Sequence, residues 1–136
     1  MTETTPTTAD VARVAEFRAA LRRFLRISER TARQSGLTPQ RHLLLLMIKG
    51  ATDGSEQSTV TELSERLQLA QSTVTELVRR AEDAGLVERE QSTRDGRVAH
   101  LRLTPEGERR LAKTYTDLQA ERAALREAFR HLEGAD

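Results

Sequence analysis

With no cysteine in the chain, the side chains best suited to soft-metal or proton-transfer chemistry near neutral pH are three histidines, His42, His100 and His131. They lie in different stretches, and none is followed at i+4 by a second histidine or a carboxylate, the spacing that pairs ligands on one helix face. No metal site and no cofactor are expected. His42 stands in the apolar run RHLLLLMIKG and reads as a core residue; His100 reads as an exposed hairpin residue. The missing cysteines also exclude a disulfide framework and a thiol redox switch. Neither a Gly-rich phosphate loop nor a nucleophile elbow occurs, so catalysis has no candidate residues and an enzyme is not expected.

What remains is guanidinium and hydroxyl chemistry. Of 22 basic residues only Lys49 and Lys113 are lysine, which reads as codon bias as readily as a demand for arginine. The net charge is only +1, and residues 71 to 104 hold six Arg against six acids. A nucleic-acid argument must therefore rest on placement rather than totals. One placement stands out: the hexapeptide STVTEL occurs twice, at Ser58 to Leu63 and at Ser72 to Leu77.

The elements that must position these groups are mostly helical. At 136 residues, 37% hydrophobic, 32% charged and 3% aromatic, the chain suits one folding unit with a core of Leu, Val, Ala and Ile. No apolar run approaches the roughly 20 residues that span a bilayer, and no signal peptide is evident, so a cytoplasmic location is expected. Residues 1 to 9 read as disordered. Asp10 is expected to cap a helix with apolar residues at Val11, Val14, Phe17, Leu21, Phe24, Leu25 and Ile27, stopped by Gly36. Thr38-Pro39 opens a short apolar helix, and GATDGSEQS reads as a loop.

In the first hexapeptide, Thr59-x-x-Glu62 fits a capping box for a helix ending near Leu67. In the second, Val74, Leu77, Val78 and Ala81 form a buried stripe ended by Gly85, and Thr73-x-x-Glu76 offers another box, so this helix start is open by about a turn. Together they make a helix-turn-helix. Leu86 to Glu90 and Arg97 to Leu103 alternate like strands around an Asp95-Gly96 turn. Thr104-Pro105-Glu106 then opens a helix to about Leu132, in which Leu111, Leu118, Leu125 and Leu132 repeat every seven residues. At roughly 40 Å it is too long for a small domain to cover, which calls for a second copy of the chain. Packing of the seam on the first helix alone is the competing arrangement.

The ordered set TELSERLQLAQSTVTELVRRAEDAGLVEREQSTRDGRVAHLRLTPEG resembles the MarR (multiple antibiotic resistance regulator) family of bacterial transcription regulators. The resemblance runs from about Asp10 to Leu132. It implies a mainly α fold: a winged helix-turn-helix with a two-stranded β wing, flanked by N- and C-terminal dimerisation helices. Residues 10–136 would form a single domain, with dimerisation helices at 10–36 and 105–132, a DNA-binding region at 37–104 and the wing at 86–103. The implied dimer contacts are Val14, Phe17, Leu21, Leu111, Leu118, Leu125, Phe129 and Leu132. The recognition helix would start near Ala70 and present Gln71, Ser72, Thr73, Thr75 and Glu76 to the major groove, with Arg79 near a phosphate. Arg94 and Arg97 at the wing tip would enter the minor groove.

Three positions depart from the family pattern. Ala70 stands where a capping Ser or Asp is common, which weakens the helix start by roughly 1 kcal/mol. Glu76 stands where relatives often carry Arg, and Ser92 replaces an acidic residue at the start of the wing. The resemblance further implies a homodimer on double-stranded DNA and a small, commonly phenolic effector. The region to search for it is Phe17 to Leu25, Leu43 to Ile48 and Tyr115, which are also expected core residues, and no effector-binding residue is assigned. Two functions compete: a homodimeric regulator, usually a repressor, on a pseudo-palindromic operator, and a winged-helix protein-interaction module without operator binding.

Overall fold

The computed structural model describes residues 5–91, 96 and 98–134. Their elements are α1 (Thr8–Gln34), α2 (Pro39–Lys49), α3 (Val60–Leu67), α4 (Gln71–Asp83), β1 (Val87–Gln91), β2 (Ala99–Leu103), α5 (Pro105–Asp117) and α6 (Gln119–Leu132).

Local chemistry sets most of the boundaries. α1 starts ahead of the expected Asp10, because Thr7 is the cap: its hydroxyl accepts the Asp10 N–H at 3.0 Å while the Asp10 carboxylate accepts the Thr7 N–H at 3.0 Å. Residues 7 to 9 thus belong to the helix start and are not a free tail. Thr59 and Glu62 make the same reciprocal pair at 3.2 and 2.9 Å. Thr38 and Thr104 each accept an N–H at 3.1 Å ahead of a proline in the first turn.

α1 and α4 end alike. Gly36 (φ +75°) and Gly85 (φ +74°) take the left-handed conformation, and the next N–H reaches back, Leu37 to Ala32 O at 2.9 Å and Leu86 to Ala81 O at 3.0 Å.

The core gathers Leu37, Leu44, Leu45, Ile48, Leu63, Val74, Val78, Ala81, Leu86 and Leu101, all buried. β1 and β2 pair antiparallel, with Val87 opposite Leu103 and Gln91 opposite Ala99. Ser58 adds a short third rung, exchanging bonds with Leu101 at 3.0 and 2.8 Å. Lys49 ties α2 to the following loop and to α5, at 2.9 Å from both Glu56 and Glu108. Arg66 donates to the carbonyls of Met47 and Gly50 at 3.0 and 3.2 Å, which satisfies the end of α2 from another helix.

The expected unbroken last helix is corrected to two. Leu118 leaves helical geometry (φ −102°, ψ 10°) between α5 and α6. Thr114-Tyr115-Thr116-Asp117 is a run of weak helix formers. Buried Thr114 also donates its hydroxyl back to Arg110 O at 3.1 Å, a bond that bends helices. The Arg122 guanidinium then lies 3.7 Å from the Tyr115 ring centre and donates to the Tyr115 carbonyl, which also accepts the Leu118 N–H at 3.3 Å.

The break turns α6 along α1, where Phe17 and Phe129 meet edge-on at 6.0 Å. The sevenfold seam is accordingly divided. Leu111 and Leu118 are buried inside the chain (6% and 3% exposed), so the assignment of these two to a subunit interface is corrected. Leu125 and Leu132 are half-buried, as are Phe17 and Leu21, whereas Val14 and Phe129 remain about half exposed. Among the described residues, no helix is long and apolar enough to cross a membrane.

Candidate nucleic-acid interface

α4 carries its two chemistries on opposite faces. Val74, Val78 and Ala81 are fully buried and Leu77 nearly so, and they seat the helix on α3, α2 and β1. Gln71, Ser72, Thr73, Thr75, Arg79 and Arg80 are exposed, with Glu76 between the two classes. Gln71, Thr75 and Arg79 follow one another at i+4 and form a polar stripe along the helix. Arg80, beside this stripe, is a surface cation that the sequence reading did not single out.

The helix begins at Gln71, so the alternative capping box at Thr73-x-x-Glu76 does not form. The two STVTEL copies therefore sit out of phase with their helices. In the first copy Ser58 is buried in the sheet rung, Thr59 is the cap and Leu63 faces the core. In the second, Ser72 and Thr73 are already within the first turn and exposed, and Val74 takes the buried place. Gln71, the residue just before the second copy, reaches Thr61 Oγ1 of the first through its Nε2 at 3.4 Å, across the turn.

Ala70 is the cap residue and supplies no side-chain bond, although its backbone (φ −63°, ψ 148°) suits a capping serine. Ala70→Ser is expected to stabilise the fold by about 1 kcal/mol, read as a higher urea midpoint at unchanged slope. An unchanged midpoint would mean that solvent already serves the first-turn N–H groups of α4.

Ion pairs occupy much of the basic surface around this face. Glu76 accepts from Arg79 Nε at 3.0 Å and from Arg80 Nε at 3.1 Å, and Arg79 Nη1 lies 3.4 Å from Asp83. The hydrogen bonds from Arg79, and then those from Arg80, hold the Glu76 carboxyl below the usual glutamate range. Arg89 on β1 donates to Glu82 of α4 at 3.1 Å, and Arg102 on β2 reaches Glu88 and Glu90 at 3.1 and 3.0 Å. The expected wing-tip residues Arg94 and Arg97, and Ser92 with them, lie outside the described residues.

A second concavity lies away from α4. A cavity of about 350 Å³ between α1, α2 and the α5–α6 break is lined mainly by apolar groups, with Phe24, Leu25, Leu43, Leu46, Leu111 and Leu118 as walls. Tyr115, Arg122, His42, Gln40, Ser28 and Glu29 supply its polar groups. Phe24, Leu25, Leu43, Leu46 and Tyr115 fall within the stretches that the sequence marks as a region to search for a ligand; Leu111, Leu118 and Arg122 do not, and the last two arrive only through the break in the last helix.

His42 lines this cavity from α2 and is buried, and burial pushes its pKa down. His131 lies 3.5 Å from Glu127, the carboxylate four residues before it on the same helix face. Among the described residues, no group of three or more histidine or carboxylate side chains is placed to hold a metal ion.

A helix-turn-helix whose second helix leaves its polar face open, followed by an antiparallel hairpin and flanked by long helices, defines a winged-helix protein. The model of the MarR family matches residues 35–98. The chain is 32% identical over 120 residues to an uncharacterized HTH-type transcriptional regulator of Bacillus subtilis (strain 168), YsmB, covering 85% of this chain and 80% of that protein. It is similar to a crystallised MarR family transcription regulator with a TM-score of 0.70 and 25% identity, over 88% of this chain and 77% of that one. A cysteine-to-serine mutant of MarR from E. coli, crystallised with operator DNA, shares the fold with a TM-score of 0.66 and 19% identity, over 85% and 78% of the two chains. The chain belongs to the MarR family of winged-helix transcription regulators.

Proposed function

We propose that this protein binds double-stranded DNA sequence-specifically as a homodimer and represses transcription from a pseudo-palindromic operator. The observation that carries this reading is the open polar face of α4, where Gln71, Ser72, Thr73 and Thr75 are exposed above a fully buried apolar stripe. A helix of this kind fits the major groove, where Gln pairs bidentately with adenine and Ser or Thr reaches base edges or a thymine methyl. Arg79 then faces the phosphates. Arg94 and Arg97 at the wing tip enter the neighbouring minor groove, where a narrow A·T-rich segment attracts a guanidinium.

In this reading residues 10–136 act as one unit, with 37–104 as its DNA-binding region, in the cytoplasm. The exposed Val14 and Phe129 on the paired helices α1 and α6, with the half-buried Phe17, Leu21, Leu125 and Leu132, form the surface that meets a second copy. Such a dimer sets its recognition helices about 34 Å apart, one turn of the duplex. The cavity beside Tyr115 and Arg122 is the effector site. A small aromatic molecule there acts only by favouring one spacing of the recognition helices over the other.

The test is fluorescence anisotropy on DNA from upstream of the protein's own gene and on a shuffled control, across a salt series, with sedimentation of the free protein. The expected result is saturable binding, one dimer per site, preferring the native fragment and weakening steeply as salt rises. Arg97→Ala is expected to weaken that binding several-fold or more without changing the sedimentation of the dimer. Unchanged affinity would remove the wing tip from the interface. The competing reading, an interaction module without operator binding, is favoured by the ion pairs on Arg79, Arg80, Arg89 and Arg102. Equal, feeble binding to both fragments would leave a distant operator or this module reading, with the module the better bet.

A further inference from the structure

We propose that Glu76 is an internal competitor for DNA phosphate: it occupies the guanidinium groups of Arg79 and Arg80 and so limits how strongly the protein holds duplex DNA of any sequence. The proposal rests on the DNA-binding reading and specifies how its main helix is tuned.

The geometry is that of a phosphate contact made within the chain. Glu76 Oε2 accepts from Arg79 Nε at 3.0 Å and Oε1 accepts from Arg79 Nη2, a two-pronged pairing of the kind that arginine makes with phosphate. The same Oε1 accepts from Arg80 Nε at 3.1 Å. One carboxylate thus engages both cations of α4. The helix as a whole holds three carboxylates, Glu76, Glu82 and Asp83, against these two guanidinium groups.

The other two carboxylates do less to these cations. Asp83 lies 3.4 Å from Arg79 Nη1, a loose contact, and Glu82 is turned to Arg89 of β1 at 3.1 Å. Glu76 also sits one turn beyond Ser72 and Thr73, between the residues that would meet bases and those that would meet the backbone. Docking must therefore open the pairs with Arg79 and Arg80 and bring a carboxylate toward the phosphates.

Both effects act alike on every sequence. They subtract from the counterion-release term that dominates non-specific binding and leave base contacts as a larger share of the total.

The experiment measures anisotropy on a fluorescein-labelled duplex of arbitrary sequence, from low to physiological salt. It compares the full chain with Glu76→Gln, Glu76→Ala and Asp83→Asn, each checked for folding by circular dichroism. Each phosphate contact regained steepens log K against log salt by about 0.9, which is on the order of tenfold in affinity at 0.1 M salt.

Glu76→Gln and Glu76→Ala are expected to bind about tenfold tighter with a slope steeper by about 1 if one arginine is released, and roughly sixtyfold tighter with a slope steeper by about 2 if both are. Asp83→Asn removes the same charge but leaves both arginines on Glu76, so it should shift far less. If the Glu76 variants match the wild type, or match Asp83→Asn, the competitor role is overturned and only general charge remains. If they bind more weakly, it is overturned in favour of a direct base contact by Glu76. If no form of the protein binds duplex even at low salt, the DNA-binding reading itself falls, and this proposal with it.

Discussion

Leu118→Asp is expected to unfold the chain rather than release a folded monomer. Leu118 is 3% exposed and packs at the α5–α6 break, against the cavity lined by Phe24, Leu43 and Leu111. Removing its isobutyl group leaves a hole, and a carboxylate there must be desolvated or protonated. The expected cost is about 4 kcal/mol or more, a large part of the 5 to 15 kcal/mol that holds a typical domain together. Far-UV circular dichroism and urea titration at two protein concentrations would read the loss. A mutant that keeps its urea midpoint but sediments as a monomer would return Leu118 to a subunit interface and contradict the packing described here.

Gly107→Ala is expected to destabilise the fold by about 3 kcal/mol, although alanine is the better helix former. Gly107 lies in the first turn of α5, and a Cβ there would stand 2.2 Å from the Leu86 carbonyl oxygen and 3.1 Å from its carbon. That oxygen is itself held, because it accepts the Thr104 N–H at 3.0 Å, and Thr104 also donates its hydroxyl to Gly85 O at 2.6 Å. No flexible side chain can yield, so the end of α4, the start of β1 and the start of α5 must separate. The expected readout is a lower urea midpoint with an unchanged slope. A loss below about 0.5 kcal/mol, the range of ordinary surface substitutions, would mean that this junction is not tightly packed.

These two residues mark the limit of what local pattern conveys. Thr59 and Glu62 announce a helix start because a capping box is completed within four residues, and the structure forms it. Gly36 and Gly85 announce helix ends for the same local reason. From the sequence alone the start of α4 is open by a turn, because Thr73-x-x-Glu76 is an equally good local box. It is decided by the fit of Val74, Val78 and Ala81 into the core, which places Ser72 and Thr73 inside the helix.

The apolar spacing of the last helix was legible, and so was the first polar stripe of the candidate interface, because both follow the 3.6-residue period. The partners of those residues were not. Nothing in the seam of Leu111, Leu118, Leu125 and Leu132 tells whether it faces another chain or its own. The answer depends on the bend at Thr114 to Leu118, which turns α6 back along α1. The ion pairs behave similarly. Glu76 with Arg79 and Arg80 could be read from i+3 and i+4 spacing, but Glu82 with Arg89 and Lys49 with Glu108 join residues that only the packed helices bring together.

By itself, then, the sequence determined the order of the elements as far as the last helix, the caps of α2, α3 and α5, the glycine stops of α1 and α4, the family, and the polar residues that α4 displays. Each of these is written in contacts a few residues apart or in the ordered pattern of the whole chain. The tertiary structure alone decided where the last helix breaks, which leucines of its seam are buried within one chain, how Arg122 comes to line a cavity beside Tyr115, and why position 107 must be glycine. Those outcomes depend on the space between elements distant in sequence, and close packing makes that space intolerant of a single added carbon.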